Sequence, residues 1–480
     1  MEKSLKSPSL EKKPILRDRY GSVINGVEIF SEKLYDNYDP HTGKVICKIS
    51  SADKALVNKA IKSAEKAFQS WSKLSSNDRA LHLFNIARKI QEFSKELAIL
   101  ESYDSGKPIR NCRDFDIVQA YETFFFHAGN ANAIEKLFPA TEPYGVVGQV
   151  IPWNFPFMML AWKLAPALAA GNTVVIKPAP NTSLTALRFM ELVKEAGLPD
   201  GVVNVIVGDG EVGSDLLSHK EVTKVAFTGS TKVGKEIYRN ALVRGVPATV
   251  ELGGKSANII FEDASINEAV EGIISAIFYN SGQVCSAGSR LLLHESIEEE
   301  VINKLRIRMD KIVVGNPLDK NTEYGPLASK EQYEKVSKYL TLAQNEYSNL
   351  EISTKIADEI KDAKLGGYYI PPAFVKVDNM ADKLSLEEIF GPLLVYSTFT
   401  TPKEAIAKAN NHFYGLAAGI WSSDLSFALK VAEKIEAGTI WINSYNQFSP
   451  KAPFGGFKES GIGRENGFLV IGNYRKRVKS

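Results

Sequence analysis

Between residues 145 and 255, short apolar runs alternate with amphipathic stretches in a steady rhythm. GVVGQVI opens the series, followed by TVVIK at 173, a helical stretch over 183–196, VVNVIV at 202, a helix over 211–219, KVAFTG at 224, a helix over 232–240 and ATVEL at 248. Strands that alternate with helices in this way predict a parallel, doubly wound α/β sheet. The rhythm restarts after 255 with SANIIF, a long helix over 265–281 and RLLLHESI, which predicts a second α/β domain. Ahead of both, residues 53–103 carry apolar positions at helical spacing, with Asp53 and Asp78 near helix starts, and predict a helical layer.

Composition narrows the functional classes. A chain of 480 residues, 44% hydrophobic and 24% charged with a net charge of +2, is an ordinary globular composition of several domains. It has no basic excess to attract nucleic acid. The most apolar region, 146–176, is interrupted by Pro152, Asn154, Pro156, Lys163 and Pro166, so it reads as a soluble segment and not a membrane span. The N-terminal stretch lacks an apolar h-region and predicts a loosely held leader instead of a targeting peptide. The basic end, YRKRVKS at 474–480, predicts a solvated tail.

Cysteine usage is the chemical clue. Cys47, Cys112 and Cys285 are widely spaced and odd in number, which suggests neither a disulfide framework nor a metal cluster and fits a reducing cytoplasm. Cys285 sits in YNSGQVCSAGSR, after a turn-like Asn-Ser-Gly and before small and polar residues, so it reads as displayed more than packed. A thiol nucleophile needs an oxyanion hole, a base for the later water and, for oxidation, an electron acceptor. Glu251 ends an apolar strand before two glycines in TVELGGKS, and Asn154 lies in the proline-flanked turn IPWNFP. Taken singly, Asn154 is equally a turn former, Glu251 a cap or surface carboxylate and Cys285 an inert thiol.

Two glycine-bearing turns compete for a phosphate. GDGEVG at 208–213 fits G-x-G-x-x-G, but no acidic residue ends a second strand about 20 positions on. The turn in AFTGSTKVG at 226–234 is the better site, because Gly229, Ser230 and Gly234 stand between a strand and a helix N-terminus. A plain tight turn is the alternative there.

PWNFP, FTGSTKVG, ELGGKS, GQVCSAGSR, EEIFGP and PFGGFKESGIGRE follow one another in this chain, and with them it resembles the NAD(P)-dependent aldehyde dehydrogenase superfamily over about residues 35–470. The resemblance implies two doubly wound parallel-sheet domains with a reduced oligomerisation element. Residues 1–125 and 142–252 would bind cofactor, 253–452 would be catalytic, and 126–141 with 453–480 would form the shortened oligomerisation or bridging element. It implies Cys285 as nucleophile, Glu251 as general base, and Asn154 with the Cys285 backbone N–H as oxyanion hole. The cofactor, NAD or NADP, would meet Ile151, Trp153, Lys177, Gly213, Gly229, Ser230, Gly234, Leu252, Glu388 and Phe390. Phe155, Trp162, Tyr279 and Phe454 would line the aldehyde tunnel. The reaction implied is oxidation of an aldehyde through a thiohemiacetal and a thioester.

The chain departs from the family pattern in two places. Pro180 stands where many members carry a Glu that binds the adenosine ribose, which leaves room for NADP. The stretch HAGNANAIEKLFPATEPYGV is too short for the usual hairpin, and the residues after Glu465 show no clear alternating strand. Both losses predict a homodimer in place of a tetramer. The short hairpin most resembles the N-terminal module of the sixteenth aldehyde dehydrogenase family, which raises a separately encoded second-domain partner. A cofactor-independent esterase or thioesterase and a catalytically silent structural protein are the competing readings.

Overall fold

The computed structural model describes residues 9–478. Its first sheet has eight strands, in the order Gly461–Ile462, Ala248–Glu251, Lys224–Thr228, Val146–Val150, Thr173–Lys177, Val203–Val205, Ser22–Ile24 and Val27–Ile29. The five central strands are parallel, and they are the five apolar runs whose rhythm predicts them. Their chain order reverses between Val146–Val150 and Lys224–Thr228, which lie side by side with Val150 opposite Phe227. Ligands of open parallel sheets bind at such a reversal, beyond the carboxyl ends of the strands.

A second sheet of seven strands runs Glu351–Ile352, Ala373–Lys376, Leu393–Phe399, Arg290–His294, Ala257–Ile260, Ala417–Trp421 and Thr439–Ile442. All its pairings are parallel except the edge strand Glu351–Ile352. The mixed α/β class with two parallel sheets is therefore the observed one.

The helical layer comprises Lys54–Trp71, Ser76–Glu92 and Ser94–Ser105. Asp53 caps the first by accepting the Leu56 N–H. Ser75 caps the second, with Asp78 in its first turn. The helix Pro156–Ala169 is buried on every face, which explains, without a membrane, a sequence apolar throughout except for Lys163. Among the described residues, no helix is long and apolar enough to cross a membrane.

Two expectations are corrected. Within the described part, the N-terminal stretch is not loose: Leu10 bridges Asp319, and Glu11 pairs with both Lys95 and Lys320. Residues 1–8 lie outside the described residues. The segment 126–141 holds no hairpin: helix Ile117–Asn130 continues into the short turns Ala131–Ala133 and Ile134–Leu137 before a strand begins at Thr141. The basic tail is not simply solvated either. Arg475–Arg477 pairs antiparallel with Thr141–Pro143, Lys476 bridges Glu142 at 3.3 Å, and Arg475 donates to the Ala170 carbonyl.

Candidate active site

The carboxyl ends of the strands at the chain reversal open into a cleft lined by the turns that follow them. Strand Val146–Val150 leads into Trp153, Asn154 and Phe155, and strand Lys224–Thr228 leads into Gly229 and Ser230. Glu251 ends the neighbouring strand, opposite Thr228. From the second sheet, Cys285 enters on the loop between helix Ile266–Phe278 and strand Arg290–His294. Cys285, Asn154 and Glu251 line this one cleft together with Trp162, Leu252, Glu388, Phe390 and Phe454.

The loop carrying Cys285 is held by its own unusual backbone. Asn280 and Ser281 adopt positive φ (48° and 54°), and Gly282 follows at 78°. This left-handed run is pinned on several sides. Ser281 Oγ donates to the Gly325 carbonyl at 2.7 Å, and Gln283 Oε1 accepts the Ala328 N–H at 2.9 Å. Asn154 Nδ2 donates to the Gln283 carbonyl at 2.9 Å, and Asn280 Nδ2 donates to the Asn154 carbonyl at 3.3 Å. The two turns are thus tied to each other.

The two glycines after Glu251 are explained by what approaches them. A Cβ on Gly253 would lie 2.5 Å from the Glu388 carboxylate, and one on Gly254 would lie 2.5 Å from the Cys285 carbonyl. Glu388 Oε1 accepts the Gly254 N–H at 3.0 Å. Its neighbour Phe390, held at φ 60°, sets its ring edge-on to Trp153 with centroids 5.3 Å apart.

Burial controls the charges. Cys285 is pushed up to about 12 by burial, with the carboxylates of Glu388 and Glu251 adding to the rise and the backbone N–H groups of Ser286 and Cys285 opposing it. Burial therefore favours the neutral thiol over the thiolate. Glu251 is raised well above the usual carboxylate range, first by burial and then by the charge of Glu465. Neither of its oxygens has a hydrogen-bond partner among the described residues. Behind it, Lys163 and Glu465 form a buried ion pair.

The cleft also offers an anion site. Helix Thr231–Val243 begins after Ser230, which lines the cleft, and has no side-chain cap, so its first N–H groups are left for another acceptor. The rival turn is closed, because Asp209 caps its own helix by accepting the N–H groups of Glu211 and Val212. That carboxylate occupies the N–H groups an anion would need at GDGEVG. Lys177 is buried nearby and lowered to about 8 by desolvation, while the charge of Asp209 opposes the shift.

A match to the aldehyde dehydrogenase family model covers residues 28–478. The chain belongs to the aldehyde dehydrogenase family. It is 42% identical over 470 residues to the mitochondrial aldehyde dehydrogenase family 2 member B4 of Arabidopsis thaliana, covering 94% of this chain and 86% of that protein. Among solved structures, an NAD+ complex of aldehyde dehydrogenase from Bacillus cereus superposes with a TM-score of 0.90 at 38% identity, covering 97% of this chain and 98% of that one. The P. syringae AldA indole-3-acetaldehyde dehydrogenase, in complex with NAD+ and IAA, gives 0.91 at 37% identity over 96% of each chain.

Five residues expected at the site do not line the cleft of this aldehyde dehydrogenase. Ile151 is core, and its N–H bonds the Lys177 carbonyl. Lys177 itself lies outside the cleft, its ammonium on the Pro178 carbonyl at 3.0 Å. Gly213 lies beneath the Lys177 side chain, and Gly234 beneath Leu252, where a Cβ would lie 2.0 Å from the leucine. Tyr279 stands behind Phe155, stacked on it with planes 14° apart.

Other lining residues were not expected. Gln332 Nε2 donates to the Phe390 carbonyl at 2.7 Å, and Lys335 Nζ donates to the Glu388 carbonyl at 2.9 Å. Both stand on an amphipathic helix among other charges and left no signal. Lys163, the one charge within an otherwise apolar helix, was such a signal.

Proposed function

We propose that Cys285, Glu251 and Asn154 carry out the oxidation of an aldehyde to its carboxylic acid in this member of the family. The observation that carries the reading is their convergence in one cleft with an uncapped helix N-terminus. The residues that would hold NAD or NADP are the uncapped helix N-terminus after Ser230 for the pyrophosphate, Lys177, just outside the cleft, for the ribose, and Glu388 with Phe390 at the nicotinamide end. When bound, the nicotinamide ring accepts the hydride that leaves the substrate carbon.

The chain's own residues do the rest. Cys285 adds its sulfur to the aldehyde carbon while Glu251, the unpartnered carboxylate of the same cleft, takes the thiol proton. Asn154 Nδ2 keeps a second hydrogen beyond the one given to Gln283, and it stabilises the oxyanion together with the Cys285 N–H. Loss of hydride leaves a thioester on Cys285. Glu251 releases the thiol proton to solvent and then draws a proton from water; the water oxygen replaces sulfur on the acyl carbon, and Glu251 returns that proton to the leaving sulfur as the acid departs.

The tunnel aromatics Phe155, Trp162 and Phe454 suit a simple aliphatic or aromatic aldehyde. The same reading places the protein in the cytoplasm as a homodimer. It keeps the likeness of the short segment 126–141 to the sixteenth family, with a separately encoded second-domain chain as partner. Purification from its own cells with no such chain attached would remove that partner.

Cys285→Ser decides the main reading. The variant is expected to bind cofactor normally and to lose reduction of NAD(P) by aldehyde to below a few per cent of wild type, about two decades. Ester hydrolysis by the wild type without any aldehyde-driven reduction would favour the esterase alternative. Sustained oxidation by Cys285→Ser would remove the thiol from its role.

A further inference from the structure

Behind the tunnel wall lies a set of buried charges that the reaction does not use. Lys107 and Asp116 form an ion pair at 2.5 Å, and both are essentially inaccessible to solvent. The Lys107 ammonium also sits 3.8 Å from the centroid of the Phe155 ring. On this scale a cation held against a desolvated ring is a firm contact. Phe155 in turn stacks on Tyr279, with centroids 6.4 Å apart. Phe155 thus meets both the ammonium and the second ring.

Each ring belongs to one of the two catalytic turns. Phe155 directly follows Asn154, and Tyr279 directly precedes the left-handed run that leads to Cys285. A third buried group completes the arrangement. Glu101 accepts the Phe157 N–H at 3.1 Å and the Thr185 hydroxyl at 2.8 Å. Helix Pro156–Ala169 has no side-chain cap from its own N-cap residue, Phe155, so the Glu101 carboxylate from another helix serves as its cap.

The base of this unit is itself fixed. The Lys107 carbonyl accepts the Ser102 hydroxyl at 2.6 Å, and the preceding Gly106 ends helix Ser94–Ser105 in a left-handed conformation. Burying an ion pair is costly unless its geometry is rigidly supported. Here the support ends on the turn that carries the oxyanion donor.

We propose that Lys107, held by Asp116 and assisted by Glu101, is a positioning residue that sets the placement of Asn154 against Cys285 by pressing on Phe155. The proposal rests on the oxyanion role given to Asn154 above. It goes beyond that reading by assigning function to a charge that touches no substrate.

The test is a double-mutant cycle on the pre-steady-state burst of reduced cofactor with a simple aldehyde. Lys107→Met combined with Asp116→Asn removes both charges and leaves neither unpaired. Misplacement of a catalytic group by a fraction of an ångström is expected to slow the burst about tenfold, with cofactor affinity held within about twofold. In an Asn154→Ala background the same pair of changes should alter the burst by no more than about twofold, because the group it positions is gone. Lys107→Arg, which keeps the cation, should restore most of the rate. Equal losses in both backgrounds, or no loss in either, would overturn the proposal.

Phe155→Leu is the second arm, should the charge-free variant fail to fold. It leaves the ion pair in place and removes the ring it presses on, so the same non-additivity with Asn154→Ala is required, and independent losses overturn the proposal there too. Failure of the underlying reading looks different: Asn154→Ala alone would leave the burst unchanged.

Discussion

Asn154 donates its side-chain amide to the main-chain carbonyl of Gln283 at 2.9 Å, two residues before the nucleophile. The bond does two things at once. It spends one amide hydrogen on orienting the group, and it fixes the loop that presents Cys285. Removing a single oxyanion donor typically costs about 10²–10³ in the chemical step. Asn154→Ala is therefore expected to slow the burst of reduced cofactor by that factor, while losing about 1 kcal/mol of stability for the missing hydrogen bond. Stopped-flow and urea unfolding of the same sample separate the two. A burst at wild-type rate would take the oxyanion away from Asn154.

Glu465 shapes the base from behind. Its charge is the leading electrostatic cause of the rise in Glu251, and Lys163 opposes it. In Glu465→Gln the repelling charge is gone and the Lys163 ammonium is no longer neutralised, so both effects lower Glu251. A base is lost as pH falls through its folded value, so the acid limb of turnover should move to lower pH. Leaving Lys163 buried without a partner is expected to cost about 3–5 kcal/mol of stability, which Lys163→Met in the same chain should relieve in part. A pH–rate profile whose acid limb stays put would show that Glu251 does not feel Glu465.

The site was legible where chemistry demands scarce residue types in glycine-rich turns. Cys285, Glu251, Asn154 and Glu388 sit in short motifs whose spacing is local, and the cleft brings those motifs together. The parallel strands were legible because buried strands are written as apolar runs. What was not legible is tertiary. Lys335 and Gln332 reach the site only through their bonds to the carbonyls of Glu388 and Phe390. The strand Arg475–Arg477 is three charged residues long, with no alternation to read, and it exists because Thr141–Pro143 offers it an edge. Tyr279 was expected in the tunnel, and nothing in YNSG distinguishes a lining ring from one stacked behind Phe155.

An acid bears on Lys177, the lysine proposed for the ribose, from an unexpected place. Pro180 supplies no carboxylate, while Asp209 stands within electrostatic reach of Lys177 and pairs with Lys33 at 2.8 Å. With that acid already matched by a lysine, NADP is expected to serve beside NAD. Asp209→Asn should move the ratio of kcat/KM values further toward NADP, because it removes a negative charge within electrostatic reach of Lys177 and frees Lys33. A wild-type preference for NAD above about a thousandfold, roughly 4 kcal/mol, would reject dual use.

Assembly is expected to run through the exposed helix Thr231–Val243. Leu242 and Val243 are 66% and 82% exposed, and Leu242 shares a groove with Ile462 on the sheet's edge strand. An apolar strip beside an open strand edge is a surface that a second copy can cover. Sedimentation equilibrium should give the mass of two chains at micromolar concentration, and Val243→Asp should shift it toward one. A mass of four chains would show that another surface, such as the ribbon of Thr141–Pro143 with Arg475–Arg477, completes a tetramer.

His127 makes acid stability a testable property of the helical layer. Its ring is buried in helix Ile117–Asn130, neither nitrogen has a hydrogen-bond partner among the described residues, and burial alone pulls it down to about 3 from 6.5. Between those values the unfolded chain binds a proton that the folded protein refuses. The stability this neutral ring permits is therefore fully present above about pH 6.5 and declines as pH falls, with a slope of about 1.4 kcal/mol per pH unit once the unfolded histidine is protonated. His127→Leu removes the titrating group from both states. Urea midpoints measured from about pH 7 to about pH 5 should fall less steeply for the variant than for the wild type, by that slope at the acid end. Parallel curves would mean that the folded protein protonates His127 as readily as the unfolded chain does, and the ring would then have to reach solvent or an acceptor when charged.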